Sequence, residues 1–322
     1  MAIYETGTAT NPSDLVSKMI VFAEAQGWTV SSQTTTPTLY PGSNTPGRVF
    51  SKGTLVFGIG WSSNGIYVCG ATGVNGSANW NAQTGSTITN STGVCSWANE
   101  MPGPYQSYHF FAGTNPDYFH IVVELGAGIF RHIVFGSLVK QGTYTGGAYY
   151  GATYWAFGPV SNVYYQNSVE STYHHVPFDV WSNVFVRERW GVRADIDGAT
   201  NKWFHVANTS PNRARGFVRN SGFGESLWKR SPSDFNQLTP LIPIPVMVER
   251  SSGSLFSPIG YAPDMRFLNI TNFAPKDVLT IASDEWMIFP FVQKSFDLSG
   301  ASSTQSTLPS NSGLYGFAYK RN

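Results

Sequence analysis

The chain has 322 residues, a formal net charge of +1 and charged side chains at only 12% of positions, about half the usual share. That balance excludes a strongly basic nucleic-acid binder, and the length suffices for one large core or two modest ones. Aromatics reach 15%, and 33 glycines and 19 prolines punctuate the chain, which points to strands joined by many turns.

The first predicted element is a helix over 12–26. Asn11 can cap it, Pro12 suits the first helical position, and Asp14 falls in the first turn. Leu15, Val16, Met19, Ile20, Phe22 and Ala23 recur at helical spacing, and Gly27 stops it. Its polar face is not basic, so no membrane-surface role is expected. Residues 1–30 read as an N-terminal arm plus this helix, without the basic and apolar pattern of a secretory signal.

Residues 31–47 form a polar loop, followed by strand-like runs at 48–61 and 65–73. Residues 73–93 read as an extended surface loop, since Gly, Asn, Ser and Thr dominate. Strands are expected at 105–113, 117–125 and 128–140, then an aromatic, irregular region to 205. The apolar stretch 121–139 contains Glu124, Arg131 and His132, so it is no transmembrane helix. Residues 206–237 are a loop excursion or insertion. The C-terminal β-rich part, 238–322, has apolar runs at 238–250, 265–270, 278–282 and 285–295, a polar linker at 297–313 and a closing strand "GLYGFAYKR". Whether it shares a domain with the first β-rich part, 31–205, stays open. No repeat of fixed period supports a propeller or solenoid, and strands do not alternate with long helices. The expected fold class is all-β, sandwich-like with long loops and one short N-terminal amphipathic helix.

The stretch 117–140 has the alternation of a β-hairpin. Phe119, Ile121, Val123 and Leu125 share one face, with His120, Val122 and Glu124 on the other. Arg131 goes with Ile129, Ile133 and Phe135, and Gly126-Ala127-Gly128 marks the turn. A two- or four-residue connection sets Glu124 opposite Arg131, and a three-residue one sets Val123 there. We expect the Glu124–Arg131 cross-strand pair, because an unpaired cation in so apolar a setting is costly.

Gly146-Gly147 reads as a turn, since no GxGxxG or GK[ST] accompanies it and no phosphate site is expected. Tyr144, Tyr149, Tyr150, Tyr154 and Trp155 could instead form an interface or stack on a host glycan. No carboxylate occurs between Glu124 and Glu170, whereas a glycosidase needs two across the bond. Such a pair could come from distant positions, among them Glu170, Asp179, Asp195 and Asp197. His174-His175 are adjacent and would point to opposite faces of a strand, and "DIDGATN" lacks the closing glutamate of a calcium loop. Cys69 and Cys95 stand in no CxxC pair and read as two buried free thiols, with pairing across neighbouring strands as the alternative. Arg213, Arg215 and Arg219, with Lys229 and Arg230, form a dispersed basic run interrupted by Glu225, read as a solvated or interface segment. No catalytic, metal or cofactor site emerges at the level of motifs.

Four segments carry a resemblance: "ETGTATNPSDLVSKMIVFAEAQGWTV", "GIFRHIVFGSLVKQGTYTGGAYY", "APDMRFLNITNFAPKDVLTIASDEWMIFPFVQKS" and the closing "YGFAYKRN". In layout and short motifs these resemble virion structural proteins of tailed bacteriophages, over most of the chain from about residue 5. The resemblance implies a non-enzymatic particle component in multiple copies, assembled in the bacterial cytoplasm. Its partners would be copies of itself and other virion proteins, with neither nucleic acid nor membrane. Within the particle it leans to the neck or collar. The tail, baseplate or fibre attachment, or a glycan-binding receptor-recognition or decoration role, is the alternative. It also suggests that "GTATNPSDL" and "FAYKRN" serve as connecting arms.

Overall fold

The computed structural model describes residues 2–32, 38–39, 43–63, 65–86, 96–99, 101–126, 128–152, 190–195, 203–205, 214–216, 239–249, 256–294 and 315–322. Three antiparallel sheets account for nearly all the regular structure, as the all-β reading expects. The central sheet runs β1 (Ile3–Ala9), β9 (Tyr105–Thr114), β10 (Asp117–Gly126), β11 (Ile129–Ser137), β13 (Thr145–Ala152), β14 (Trp190–Asp195) and β15 (Trp203–His205), in that spatial order. The outer sheet runs β16 (Ala214–Gly216), β17 (Ile242–Glu249), β18 (Phe256–Asn269), β21 (Tyr315–Lys320), β20 (Asp284–Pro290) and β19 (Val278–Ile281), and β12 (Val139–Lys140) also pairs with β18. The helix-side sheet runs β2 (Thr29–Ser32), β5 (Gly47–Lys52), β6 (Leu55–Ser62), β7 (Gly65–Ala71) and β8 (Ser96–Asn99). A small ribbon pairs β3 (Thr38–Leu39) with β4 (Ser43–Asn44).

Strand alternation explains the layering. On β10, Phe119, Ile121 and Val123 face the helix-side sheet, while Tyr118 and Val122 face the outer sheet. The central sheet is therefore buried on both faces, and β10 is hydrophobic at successive positions rather than at every second one. Phe135 is the aromatic hub of the helix-side layer. Its ring lies 5.1 Å from Phe57, 5.3 Å from Phe119, 5.6 Å from Trp28 and 5.9 Å from Phe50, distances suited to tilted and edge contacts. The outer layer takes Phe111, Phe130 and Tyr149 from the central sheet, and Phe267, Phe289, Phe317 and Tyr319 from the outer one. Residues of both predicted β-rich parts thus share one core.

Helix α1 (Pro12–Ala25) forms where the sequence places it. Asn11 Oδ1 accepts from the Asp14 N–H at 3.0 Å, and the Asp14 carboxylate accepts from the Thr10 N–H at 2.8 Å, a reciprocal cap. Gly27 ends it at φ 78°. Leu15, Val16, Met19, Phe22 and Ala23 bury the inner stripe.

Two expectations are corrected. Neither proposed arm is one: residues 3–9 form the edge strand of the central sheet, and β21 lies inside the outer sheet with Phe317, Ala318 and Tyr319 buried. The described part of the 73–93 loop runs exposed at Val74–Ser77, as expected of a surface loop, but it turns inward at Trp80, Asn81 and Gln83. Trp80 is fully buried over a bed of glycines on β5 and β6, and its Nε1 donates to Thr45 O at 2.9 Å. A Cβ at Gly47 or Gly60 would come within 2.2 or 2.1 Å of the indole. A loop poor in apolar residues is thus pinned by one ring.

Candidate functional site

The expected Glu124–Arg131 pair does not form. The β10–β11 turn has the two-residue length that would create it, with Gly126 pairing with Ile129. A bulge between Glu124 and Gly126 adds one residue, so Glu124 lies opposite Phe130 and Arg131 opposite Val123. One residue of slip sends the two side chains to opposite faces. The Arg131 Nη1 instead donates to Phe130 O at 3.0 Å.

Glu124 belongs to a different constellation. Its Oε2 accepts from Ser107 Oγ at 2.8 Å and from Lys276 Nζ at 2.9 Å. The His109 ring continues the chain, with Nε2 3.1 Å from Ser107 Oγ and Nδ1 2.8 Å from Tyr4 Oη. With Ser107 donating to the carboxylate, Nε2–H donates to Ser107 and Nδ1 accepts from Tyr4. Burial on its own would raise the Glu124 pKa, but bonds from Lys276 and Ser107 outweigh it and hold the carboxyl below its ordinary value. Sequence reasoning missed Lys276. It sits at φ 73°, opening a bulge before β19, and no local pattern ties it to Glu124.

Histidines 109, 120 and 132 all lie on the outer-sheet face of the central sheet, buried among rings. His132 Nε2 donates to Pro290 O and its Nδ1 accepts from Tyr319 Oη, both at 2.8 Å, fastening the central sheet to the outer one. His120 Nε2 contacts Tyr149 Oη, while its Nδ1 has no hydrogen-bond partner among the described residues. Tyr118 Oη donates to Asp264 Oδ2 at 2.9 Å, a second sheet-to-sheet link. Burial pushes His109 down to about 4 and His120 and His132 to about 3, so all three are neutral near pH 7.

The proposed aromatic platform is corrected as well. Tyr149 and Tyr150 are fully buried on opposite faces of β13, and Tyr144 is half-buried with its hydroxyl donating to Ile259 O at 2.8 Å. Adjacent strand residues cannot offer one stacking surface. Tyr154 and Trp155 lie outside the described residues, as do Arg213 and Arg219, and Arg215 is described only by its backbone in β16. Of the candidate hydrolase carboxylates, Asp195 is partly exposed at the end of β14, and Glu170, Asp179 and Asp197 lie outside the described residues, as do His174, His175 and Cys95. Cys69 is a buried thiol, 3.6 Å from Gly58 O. Among the described residues no group of three His, Cys, Asp or Glu is placed to hold a metal ion, and no helix is long and apolar enough to cross a membrane.

Among the described residues a polar cleft of about 350 Å³ gathers several charged side chains. It opens where the β5–β6 turn, the β9–β10 turn, β12, the start of β13 and the end of β14 converge. Lys52, Lys140 and Arg193 line it against the single carboxylate of Asp117, three positive charges to one negative. Lys52 is held in place: its Nζ donates to Gln26 O and to Asp117 Oδ1, both at 2.8 Å. Lys140 Nζ donates to Tyr144 O at 3.2 Å and lies 5.2 Å from the centre of the Tyr144 ring. The Gly146-Gly147 pair serves this cleft. Both glycines sit in the left-handed region, at φ 98° and 99°, and a Cβ on Gly147 would lie 2.6 Å from Lys140 Cε. The sequence marks each cleft residue only as a strand end beside a turn, and the sheet stacking brings them together. No protein-family profile matches this chain, and no curated protein matches it.

Proposed function

We propose that the chain is a non-enzymatic structural component of a tailed-bacteriophage particle, assembled in multiple copies in the bacterial cytoplasm and most at home in the neck or collar. A tail, baseplate or fibre-attachment position is the alternative within the same reading. The four-segment resemblance supports it, and one structural observation carries it further: among the described residues the outer sheet ends in an edge strand with exposed apolar side chains. Chemistry-bearing core side chains are engaged as fasteners, with His132 on Pro290 and Tyr319, Tyr118 on Asp264 and Glu124 on Lys276. At the edge of the outer sheet, β19 presents Val278 and Ile281, 39% and 47% exposed. The Ile281–Asp284 pairing and the bond from Ile288 N–H to Asp277 O set the alternation of the ladder. Val278 and Thr280 therefore turn their peptide groups outward, where a strand of a neighbouring subunit can add.

Imaging of purified particles at side-chain resolution tests this. The expected result is density for this chain in a symmetric ring. Absence of the chain from purified particles, together with a monomer under all assembly conditions, would overturn the proposal.

A further inference from the structure

We infer that the cleft between the β5–β6 and β9–β10 turns binds an acidic sugar, a hydroxylated ring bearing a carboxylate. The cleft alone supports this, independently of the virion reading. Its volume, about 350 Å³, falls at the small end of ligand pockets, roughly 300–1,000 Å³, and suits one or two saccharide units.

The lining chemistry selects the ligand. The excess of cations favours an anion, and Lys140, which has no carboxylate within salt-bridge distance among the described residues, is the group best placed to meet it. Lys52 is already shared with Asp117 and Gln26 and acts as a fixed positive wall. Asp117 separates a sugar from a bare phosphate. A carboxylate on the wall repels a free oxyanion but accepts hydroxyl donors. The Asn115 amide and the Thr54 hydroxyl extend the same donor and acceptor surface. The site is built on strand ends: Lys52 closes β5, Asp117 opens β10, the left-handed Gly147 seats the Lys140 stem, and the left-handed Gly146 lies against the Arg193 backbone. Electrostatics supplies affinity for the carboxylate, and hydroxyl matching supplies discrimination.

The full chain, isotopically labelled, is titrated with D-glucuronate, D-glucose and inorganic phosphate while amide shifts are followed. Glucuronate is expected to bind saturably at about millimolar concentration, moving Gly53 and Gly146, with glucose and phosphate each weaker by roughly tenfold. Lys140→Gln should weaken glucuronate by roughly tenfold at a nearly unchanged melting temperature, since Lys140 is exposed, its ammonium donates only to Tyr144 O among the described residues, and Gln keeps the part of the stem nearest the backbone. Asp117→Asn should weaken glucuronate and strengthen phosphate. Added salt should weaken glucuronate binding in the parent chain. No saturable glucuronate shift, shifts away from the cleft, or full binding by Lys140→Gln would overturn the inference. Phosphate bound more tightly than glucuronate by the parent chain would reassign the cleft as a simple oxyanion site and overturn the sugar.

Discussion

Lys276 Nζ lies 2.9 Å from the buried Oε2 of Glu124, tying the loop before β19 to the hairpin end of β10 in the central sheet. Lys276 is 43% exposed at its side chain and Glu124 only 6%, so the carboxylate has more to lose than the ammonium when the pair is broken. Lys276→Met should destabilise the fold by about 1–3 kcal/mol at pH 7, measured by urea unfolding. The Glu124 carboxyl is held below its ordinary value, so its contribution is present above the unfolded-state pKa and is lost as pH falls through the folded-state one. The penalty of Lys276→Met should therefore shrink in acid. In a double-mutant cycle with Glu124→Gln, Lys276→Met should couple by about 1 kcal/mol, and Arg131→Gln by less than about 0.5 kcal/mol. Strong coupling to Arg131 would contradict the bulged register.

Acid should loosen the contact between the central and outer sheets. Burial depresses His109, His120 and His132 from the ordinary value of 6.5, so the unfolded chain binds more protons than the folded one between that value and about 3–4. Their contribution is complete above pH 6.5 and is lost as pH falls through this window. His109 contributes on the order of 3 kcal/mol across its window, and His120 and His132 on the order of 5 kcal/mol each, since a proton-binding difference of one changes stability by about 1.4 kcal/mol for each pH unit. The urea midpoint should drop steeply between pH 6.5 and 4.5, and a flat profile there would contradict neutral, buried rings. Lys276, Glu124 and Arg321 act on His109, and Arg131 acts on His132, so salt should alter the slope only modestly.

Trp80 should dominate the stability of the 72–86 loop. Trp80→Ala is expected to cost about 3–5 kcal/mol, the range for a fully buried aromatic. Gly60→Ala should also destabilise, because its Cβ would fall 2.1 Å from Trp80 Cζ2. In the Trp80→Ala background the same glycine substitution should be nearly silent, since the ring it meets is gone. Additive effects in thermal unfolding would argue against the indole resting on the glycine bed.

The edge strand offers a direct assembly test. Ile281→Lys places a charge on an exposed, apolar strand end, the device natural sheets use to block strand addition. The monomer should unfold within about 0.5 kcal/mol of the parent, as for most surface substitutions. Assembly measured by analytical ultracentrifugation should be lost. Oligomers that persist unchanged would remove β19 as the interface.

The sequence by itself determined the class of fold and its local grammar. Scarce charge, abundant rings and frequent Gly and Pro specified an all-β chain. The Asn11 cap, Pro12 and Gly27 specified the helix, and alternation along 117–137 specified which side chains share a face, because these signals act between near neighbours. Tertiary structure decided which layer covers each face and which partners meet. Alternation is blind to a single-residue bulge, so Arg131 kept its face while Glu124 gained Lys276, 152 positions away. Composition marked 73–93 as a surface loop, but a bed of small residues on another sheet gave Trp80 somewhere to go. Tyr149 and Tyr150 looked like a platform until a sheet was stacked on each side of them. The cleft of Lys52, Asp117, Lys140 and Arg193 has no sequence signature, since its residues converge only when strand ends from three sheets are brought to one corner.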